Sequence, residues 1–213
     1  MEFDRFIGID WSGARGFNHE GIQVAVCAAD RSAPTVLKNP NSRTWSRERL
    51  LDWLVLQASY FRVLVGIDFS FGLPFFDRKV FFPESEGIRQ TARDVWELID
   101  SVCCHDEDLY AGTFVSSEVW GQYFRRPGYV GRFFEPRYRV TDTLCTYYGL
   151  GIPSSVFNLI GPKQVGLGSL AGMRFLKRLK TLAPRVSIWP FEEFGQSKIV
   201  EIFPRTFIVR AGF

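Results

Sequence analysis

The chain has 213 residues, of which 46% are hydrophobic and 23% are charged, and its formal net charge is +3. This composition excludes a disordered chain and favours a soluble globular protein, while so small a net charge gives no general argument for a nucleic-acid partner. The acidic N-terminus excludes a signal peptide and no apolar run is long enough to span a membrane, so we expect a cytoplasmic protein.

The beginning of the chain predicts three strands, a helix and a fourth strand. The strands cover residues 5–10, 21–29 and 34–38, and their short connections favour an antiparallel meander. A helix then starts at Ser46, and an apolar run that ends at Asp68 forms the fourth strand. This order resembles the start of the RNase H fold, in which the first and fourth strands are parallel neighbours.

The rest of the chain predicts an insertion and then a return to the sheet. At about residues 75–162 the pattern is irregular apart from an amphipathic helix over 88–103, and we interpret this segment as a helical insertion in a single domain of residues 1–213. Ser169 is expected to be the N-cap of a further helix. Two more strands follow, at residues 186–190 and 198–203. The predicted fold class is α/β, with an RNase H-like mixed sheet and a helical insertion.

A short phrase occurs twice, each time at the end of an apolar strand. Residues 8–13 read GIDWSG and residues 66–72 read GIDFSFG. The carboxyl ends of parallel strands meet at one edge of a sheet, where ligands bind in open α/β proteins. We therefore expect Asp10 and Asp68 to face one cleft.

Glu201 lies in another apolar strand and completes a set of three carboxylates. Like carboxylates that are brought together raise one another's pKa unless a cation neutralises them, and hard oxygen ligands suit Mg²⁺ or Mn²⁺. The alternative is that these acids cap loops or pair with basic residues such as Arg15 and Arg205.

Several motifs in a fixed order resemble those of a family of predicted nucleases. They are residues 8–13, 66–74, 164–169 and 200–205, with shorter likenesses at 139–142 and 186–191. They resemble domain-of-unknown-function family 429 over nearly the whole chain. The resemblance implies an RNase H-like (RuvC-like) fold and divalent-metal cleavage of phosphodiesters, and it assigns Asp10, Asp68 and Glu201 to the acidic site.

The end of the chain departs from the pattern of the wider RNase H superfamily. Members of that superfamily usually add a last acidic residue from a closing helix, whereas nine residues follow Pro204 here. We therefore expect only weak activity, because the site has three acidic residues and lacks the last one that the closing helix would supply.

These observations predict a metal-dependent nuclease that hydrolyses phosphodiester bonds of nucleic acid. In a two-metal mechanism Asp10 would bridge the ions, and Asp68 and Glu201 would each hold one of them. Two alternatives stay open: a non-catalytic module that binds nucleic acid or phosphate, and an ATP-using protein of the actin-like fold, for which the chain is short. The candidate substrate-binding residues are Ser12, Ser70, Arg125, Arg126, Gln164, Ser169 and Arg174.

Residues 125–139 combine five arginines and one glutamate with several aromatic residues. Arginines that contact phosphates and aromatic rings that stack on bases are the combination used to bind single strands. The alternative is an insertion packed by its own aromatic residues, whose arginines pair with the acidic helix at 84–108.

The glycines of residues 161–168 do not predict a nucleotide cofactor. Leu167 stands where a phosphate-binding loop needs lysine, and the first glycine of a dinucleotide fingerprint would have to follow a strand directly. We expect these glycines to allow the close approach of a loop. His19 and His105 are expected at the surface or in loops, and the four cysteines are expected to be reduced and mostly buried.

Overall fold

The computed structural model describes residues 3–30, 32–39, 44–85, 91–161, 165–193 and 195–206. Its strands are β1 (Arg5–Asp10), β2 (Gln23–Ala28), β3 (Thr35–Leu37), β4 (Val63–Ile67), β5 (Arg125–Arg126), β6 (Tyr129–Val130), β7 (Val186–Trp189) and β8 (Ser197–Glu201). Its α-helices are α1 (Arg47–Tyr60), α2 (Ala92–Val102), α3 (Gly112–Ser116), α4 (Val140–Tyr147) and α5 (Gly166–Leu182). Two 3₁₀ turns lie at Glu107–Leu109 and Trp120–Tyr123.

Six of these strands form one mixed sheet in the order β3-β2-β1-β4-β8-β7. The first three strands are an antiparallel meander, and β4 pairs in parallel with β1 on its other side. Strand β8 is parallel to β4, and β7 is parallel to β8. The α/β class and the predicted meander, helix and parallel strand are confirmed. Because β1, β4, β8 and β7 run in one direction, their carboxyl ends share one edge of the sheet.

The start of α5 differs from the prediction. The helix begins at Gly166 with Val165 in the N-cap position, so the expectation that Ser169 is the N-cap is wrong. The Ser169 hydroxyl is fully buried and accepts a hydrogen bond from the backbone N–H of Ser70 at 3.1 Å. The Ser169 hydroxyl, which the local sequence predicted to cap the helix, instead makes a tertiary hydrogen bond to the turn after β4. Ser46, by contrast, does cap α1, because its side chain accepts a bond from the N–H of Arg49.

The inserted segment has an aromatic core of its own. The ring of Phe82 packs edge-on against the rings of Phe114, Trp120, Tyr123 and Phe157. This packing matches the alternative in which the insertion is held together by its own aromatic residues. The predicted helix over 88–103 is observed as α2, and Ile88 lies outside the described residues.

Helix α5 connects the insertion to the sheet. It packs against both α1 and α2, and its buried side chains include Leu170, Met173 and Leu176. Among the described residues, no helix has the length and apolar character of a membrane span. The four cysteines, all among the described residues, are free thiols, and since only Cys103 of them is buried, the expectation of mostly buried thiols is wrong.

Candidate functional site

Three carboxylates lie at the carboxyl edge of neighbouring parallel strands. Asp10 is the last residue of β1, Asp68 directly follows β4, and Glu201 is the last residue of β8. The backbone N–H of Asp68 donates to the carbonyl of Ile9 at 3.1 Å, which continues the pairing of β1 with β4. The fold thus brings the three acids to one edge of the sheet.

The strand register separates Glu201 from the two aspartates. Glu201 is level with Ile67, one residue before Asp68, while Asp10 follows Ile9, which is also level with Ile67. The register therefore sets Asp10 level with Asp68, and Glu201 lies one position earlier. Glu201 nevertheless lines the same cavity as Asp68, because Asp68 lies beyond the last residue of β4, where the alternation of a strand no longer applies.

Asp68 lies in the negative field of two other carboxylates. Burial, together with the charges of Asp10 and Glu201, raises the pKa of Asp68 to about 6. Within the described residues no basic side chain forms an ion pair with Asp10 or Asp68. The carboxylate of Asp10 accepts a hydrogen bond only from the neighbouring backbone N–H of Trp11 in this part of the chain. A pair of carboxylates in this condition has the charge that would attract a cation.

Glu201 is in a different condition because Arg139 neutralises it. The Nη1 atom of Arg139 lies 2.7 Å from Oε2 of Glu201, and the backbone N–H of Phe71 donates to the same oxygen at 2.9 Å. Arg139 also binds the Asp142 carboxylate through its backbone N–H, Nε and Nη2 at 2.9, 3.1 and 2.7 Å. Burial lowers the pKa of Arg139, but its bonds to Asp142 and Glu201 outweigh burial and raise that pKa overall.

The donor set therefore fits a divalent cation best at the two aspartates. Their carboxylates are hard oxygen donors with no ion-pair partner in the described part of the chain, which suits Mg²⁺ or Mn²⁺. Within the described part of the chain, no group of three or more His, Cys, Asp or Glu side chains is arranged to hold a metal ion. Glu201 as a third ligand stays a prediction, since Arg139 and the Phe71 N–H occupy one of its oxygens.

A cavity of about 1100 Å³ lies beside Asp68 and Glu201, whereas Asp10 is not among the described residues that line it. Its polar lining includes Asp68, Ser70, Arg139 and Glu201, and most of its wall is apolar. The apolar lining includes Leu73, Phe75, Phe76, Trp189, Phe191, Ile202 and Phe203. The candidate site is thus a concave space with aromatic walls and carboxylates at one side.

The predicted serines are placed differently from one another. Ser70 lines the cavity next to Asp68, and buried Ser169 holds the turn of Ser70 through their hydrogen bond. Ser12 is absent from the cavity lining among the described residues, and its hydroxyl accepts the N–H of Ala14 at 3.2 Å. Only Ser70 of these three lines the cavity.

The predicted arginines do not gather around the acids. Arg174 is 1% exposed, and its Nε lies 3.1 Å from the Asp100 carboxylate, so it stabilises the packing of α5 on α2. Arg125 is exposed in the small β5–β6 hairpin, and the guanidinium of Arg126 lies over the ring of Tyr129 at 4.3 Å. Gln164 lies outside the described residues.

The aromatic-basic stretch uses its last two arginines inside the protein. Arg137 is buried and binds the Asp77 carboxylate, while Arg139 binds Asp142 and Glu201. The expectation that these arginines pair with the acidic helix is wrong, because basic residues of α5 pair with that helix. Tertiary packing of α5 on α2 decides this choice of partner.

The sequence interpretation did not assign Arg139 and Asp142 to the site. A local signal was available, because an acid three residues after the N-cap residue Arg139 can accept the N-cap backbone N–H at the start of α4. The carboxyl of Asp142 accepts the Arg139 backbone N–H, and that bond fixes the arginine beside Glu201. In the sequence, residues 139–142 show only a short similarity to the family motifs, which assigns them no role.

Comparison of the chain with known protein families, with curated proteins and with solved structures finds no match.

Proposed function

We propose that this protein is a divalent-metal-dependent nuclease with an RNase H-like fold. The observation that carries the proposal is the juxtaposition of Asp10 and Asp68 on adjacent parallel strand ends, without a basic partner among the described residues. A pair of carboxylates is costly to keep close together unless a cation joins them. The order of the strands in the sheet supports the same proposal.

The chemistry follows from the residues at the edge. Asp10 and Asp68 would hold the cation, and Glu201 would complete the ligand set when it is released from Arg139. Bound ions of this kind activate water and stabilise the leaving oxygen of a phosphodiester. Ser70 would position water or phosphate, since Ser169 fixes its backbone beside Asp68. Arg125, which is exposed, and Arg126 lie in the β5–β6 hairpin outside the cavity lining, and they would contact phosphates farther along the nucleic acid.

Ion binding is the first test. We expect Mg²⁺ or Mn²⁺ to raise the melting temperature, and an ion at ten times its dissociation constant adds about 1.4 kcal/mol. For a chain of this size that corresponds to about 3–6 °C. Asp10→Asn should abolish the rise, whereas Asp52→Asn, a change of an exposed acid on α1, should preserve it. The measurement is thermal unfolding with and without 10 mM ion, supported by calorimetric titration.

Cleavage is the second step of the same test. Labelled single-stranded, duplex and branched oligonucleotides are incubated with Mn²⁺ and wild-type protein or Asp68→Asn. We expect nicking by the wild type alone, and cleavage that survives Asp68→Asn would reveal a contaminating nuclease. Binding that weakens steeply with salt would support phosphate contacts by arginines.

A non-catalytic binding module is the second candidate, because Arg139 already supplies Glu201 with a positive partner. Acids that are satisfied within the protein can be retained for structure alone. If no divalent ion binds at millimolar concentration while oligonucleotides or phosphate do bind, this candidate replaces the nuclease.

A further inference from the structure

Arg139 is anchored independently of Glu201. Its backbone N–H, Nε and Nη2 all bind the carboxyl of Asp142, which is 9% exposed, and this leaves Nη1 to reach Glu201. The Arg139 side chain is 18% exposed and lines the cavity together with Asp68. The guanidinium is therefore a fixed positive charge at the acidic site, and it does not depend on Glu201 for its position.

The carboxylate of Glu201 cannot serve this arginine and a cation equally well. Its Oε2 accepts both Nη1 of Arg139 at 2.7 Å and the N–H of Phe71 at 2.9 Å. A cation that recruits this oxygen must displace these donors, and its charge repels the guanidinium. Charges this close in a half-buried site interact strongly because the surroundings screen them poorly.

We propose that Arg139 and a divalent cation compete for the carboxylate of Glu201, so that Arg139 sets the affinity of the acidic site for the ion. This inference rests on the proposed function, since it takes Asp10 and Asp68 as the place where the ion binds. Competition of this kind is a negative coupling between two ligands of one group, and such coupling is reciprocal. Arg139 is thus a positioning residue of the site.

A purely structural role for Arg139 predicts different results. In that case the bonds to Asp142 and Glu201 only fasten α4 to the end of β8. Removing them would then lower stability and leave ion affinity unchanged or reduced. Ion affinity in a folded variant therefore separates the two roles.

The experiment titrates Mn²⁺ by calorimetry into wild-type protein, Arg139→Gln, Arg139→Lys and a matched control, Arg93→Gln. Arg93 also lines the cavity, but it pairs with Glu192 and not with the three acids. We expect Arg139→Gln to bind Mn²⁺ about tenfold more tightly, within the usual range of coupling between sites. Arg139→Lys, which keeps the charge, and Arg93→Gln should stay close to the wild type.

A double-mutant cycle identifies Glu201 as the contested group. The gain from Arg139→Gln should disappear when Glu201→Gln is also present, because no carboxylate is then left to release. A gain of equal size in the Glu201→Gln background would overturn competition for that residue. Wild-type and Arg139→Gln proteins of equal affinity would also overturn the inference, while leaving the proposed function intact.

A measurement on the wild type covers the case in which Arg139→Gln does not fold. In NMR spectra, Mg²⁺ should shift the guanidinium resonances of Arg139 and leave those of Arg93 in place. Unshifted Arg139 resonances in protein saturated with Mg²⁺ would contradict the inference. If no variant binds Mn²⁺ and the wild type does not bind Mg²⁺, the proposed function itself fails.

Discussion

At the residue scale, the acids of the site differ in how their charge is met. Asp68 is half-buried among other acids, and its pKa is raised to about 6 by burial and by Asp10 and Glu201. Glu201, only one register position away, is bound by Arg139. The two carboxylates therefore differ. A bound cation would stabilise the ionised form of Asp68, whereas Glu201 already has Arg139 as its positive partner.

The raised pKa of Asp68 predicts a dependence of stability on pH. The folded protein holds this proton more tightly than the unfolded chain does, so stability falls as the pH rises from about 4 to about 6. In chelator at neutral pH, Asp68→Asn should therefore raise stability by about 1 kcal/mol, after discounting for solvent screening, or the melting temperature by about 2–4 °C.

The comparison is made by thermal unfolding at several pH values. The advantage of Asp68→Asn should shrink as the pH falls from about 6 to about 4, because the wild-type carboxyl becomes protonated in the folded protein over this range. Adding Mg²⁺ should reverse the order, because only the wild type gains from the ion. An Asn variant that is less stable at every pH would show that Asp68 has a structural partner.

At the element scale, the loop after β1 packs directly on the start of α5. A Cβ added to Gly13 would lie 2.2 Å from the backbone nitrogen of Gly168, and the indole Nε1 of Trp11 donates to the Gly168 carbonyl at 2.8 Å. This contact fixes the loop that follows Asp10 against the helix. Of the glycines at 161–168, the expected close approach is found at Gly166, where a Cβ would clash with the carbonyl of Val156, and not at Gly168 or Gly161.

Gly13→Ala should consequently destabilise the protein. The contact is with backbone, which cannot move aside, so we expect a loss of about 1–3 kcal/mol in the free energy of unfolding. Gly8→Ala is the matched control, since a Cβ there meets nothing within 4 Å. Denaturant unfolding of both variants checks this, and equal effects would show that the Gly13 contact relaxes easily.

At the scale of the whole molecule, a buried network joins the insertion to the sheet domain. Asp108, which is fully buried, accepts the backbone N–H groups of Arg47 and Glu48 at the start of α1 and binds Nε2 of His19 at 2.7 Å. Arg47 also donates to the carbonyls of Ser12 and Ala14, in the loop after β1. One aspartate of the insertion therefore helps to position the loop beside Asp10.

We expect Asp108→Ala to weaken the entire fold. The change leaves buried Arg47 and His19 without their carboxylate, and breaking a buried pair in this way costs about 3–5 kcal/mol. Burial raises the pKa of Asp108, but bonds from His19, Glu48 and Arg47 lower it overall, so its contribution is lost as acid protonates it. Asp30→Ala serves as the control in thermal unfolding, because Asp30 is exposed and its carboxylate accepts the local backbone N–H of Ser32. A loss as small as that of the control would contradict a structural role for the network.

The sequence by itself determined the elements whose signal is local. Apolar runs that end in Asp10 and Asp68 defined β1 and β4, and helical spacing with a capping serine defined α1, because these patterns depend on near neighbours in the chain. The parallel pairing of β1 and β4 could be predicted from their order. The edge of the sheet that carries the candidate site followed from that pairing.

Only the tertiary structure decided which partner each polar group meets. His19, expected at the surface or in a loop, lies in the loop after β1 but is buried against Asp108, and Arg174, expected at phosphate, is buried against Asp100. The ion pair of Arg139 with Glu201 joins residues that are 62 positions apart. Charges that attract one another across such distances leave no periodic pattern in the chain, so the choice among several possible partners depends on how the helices pack on the sheet.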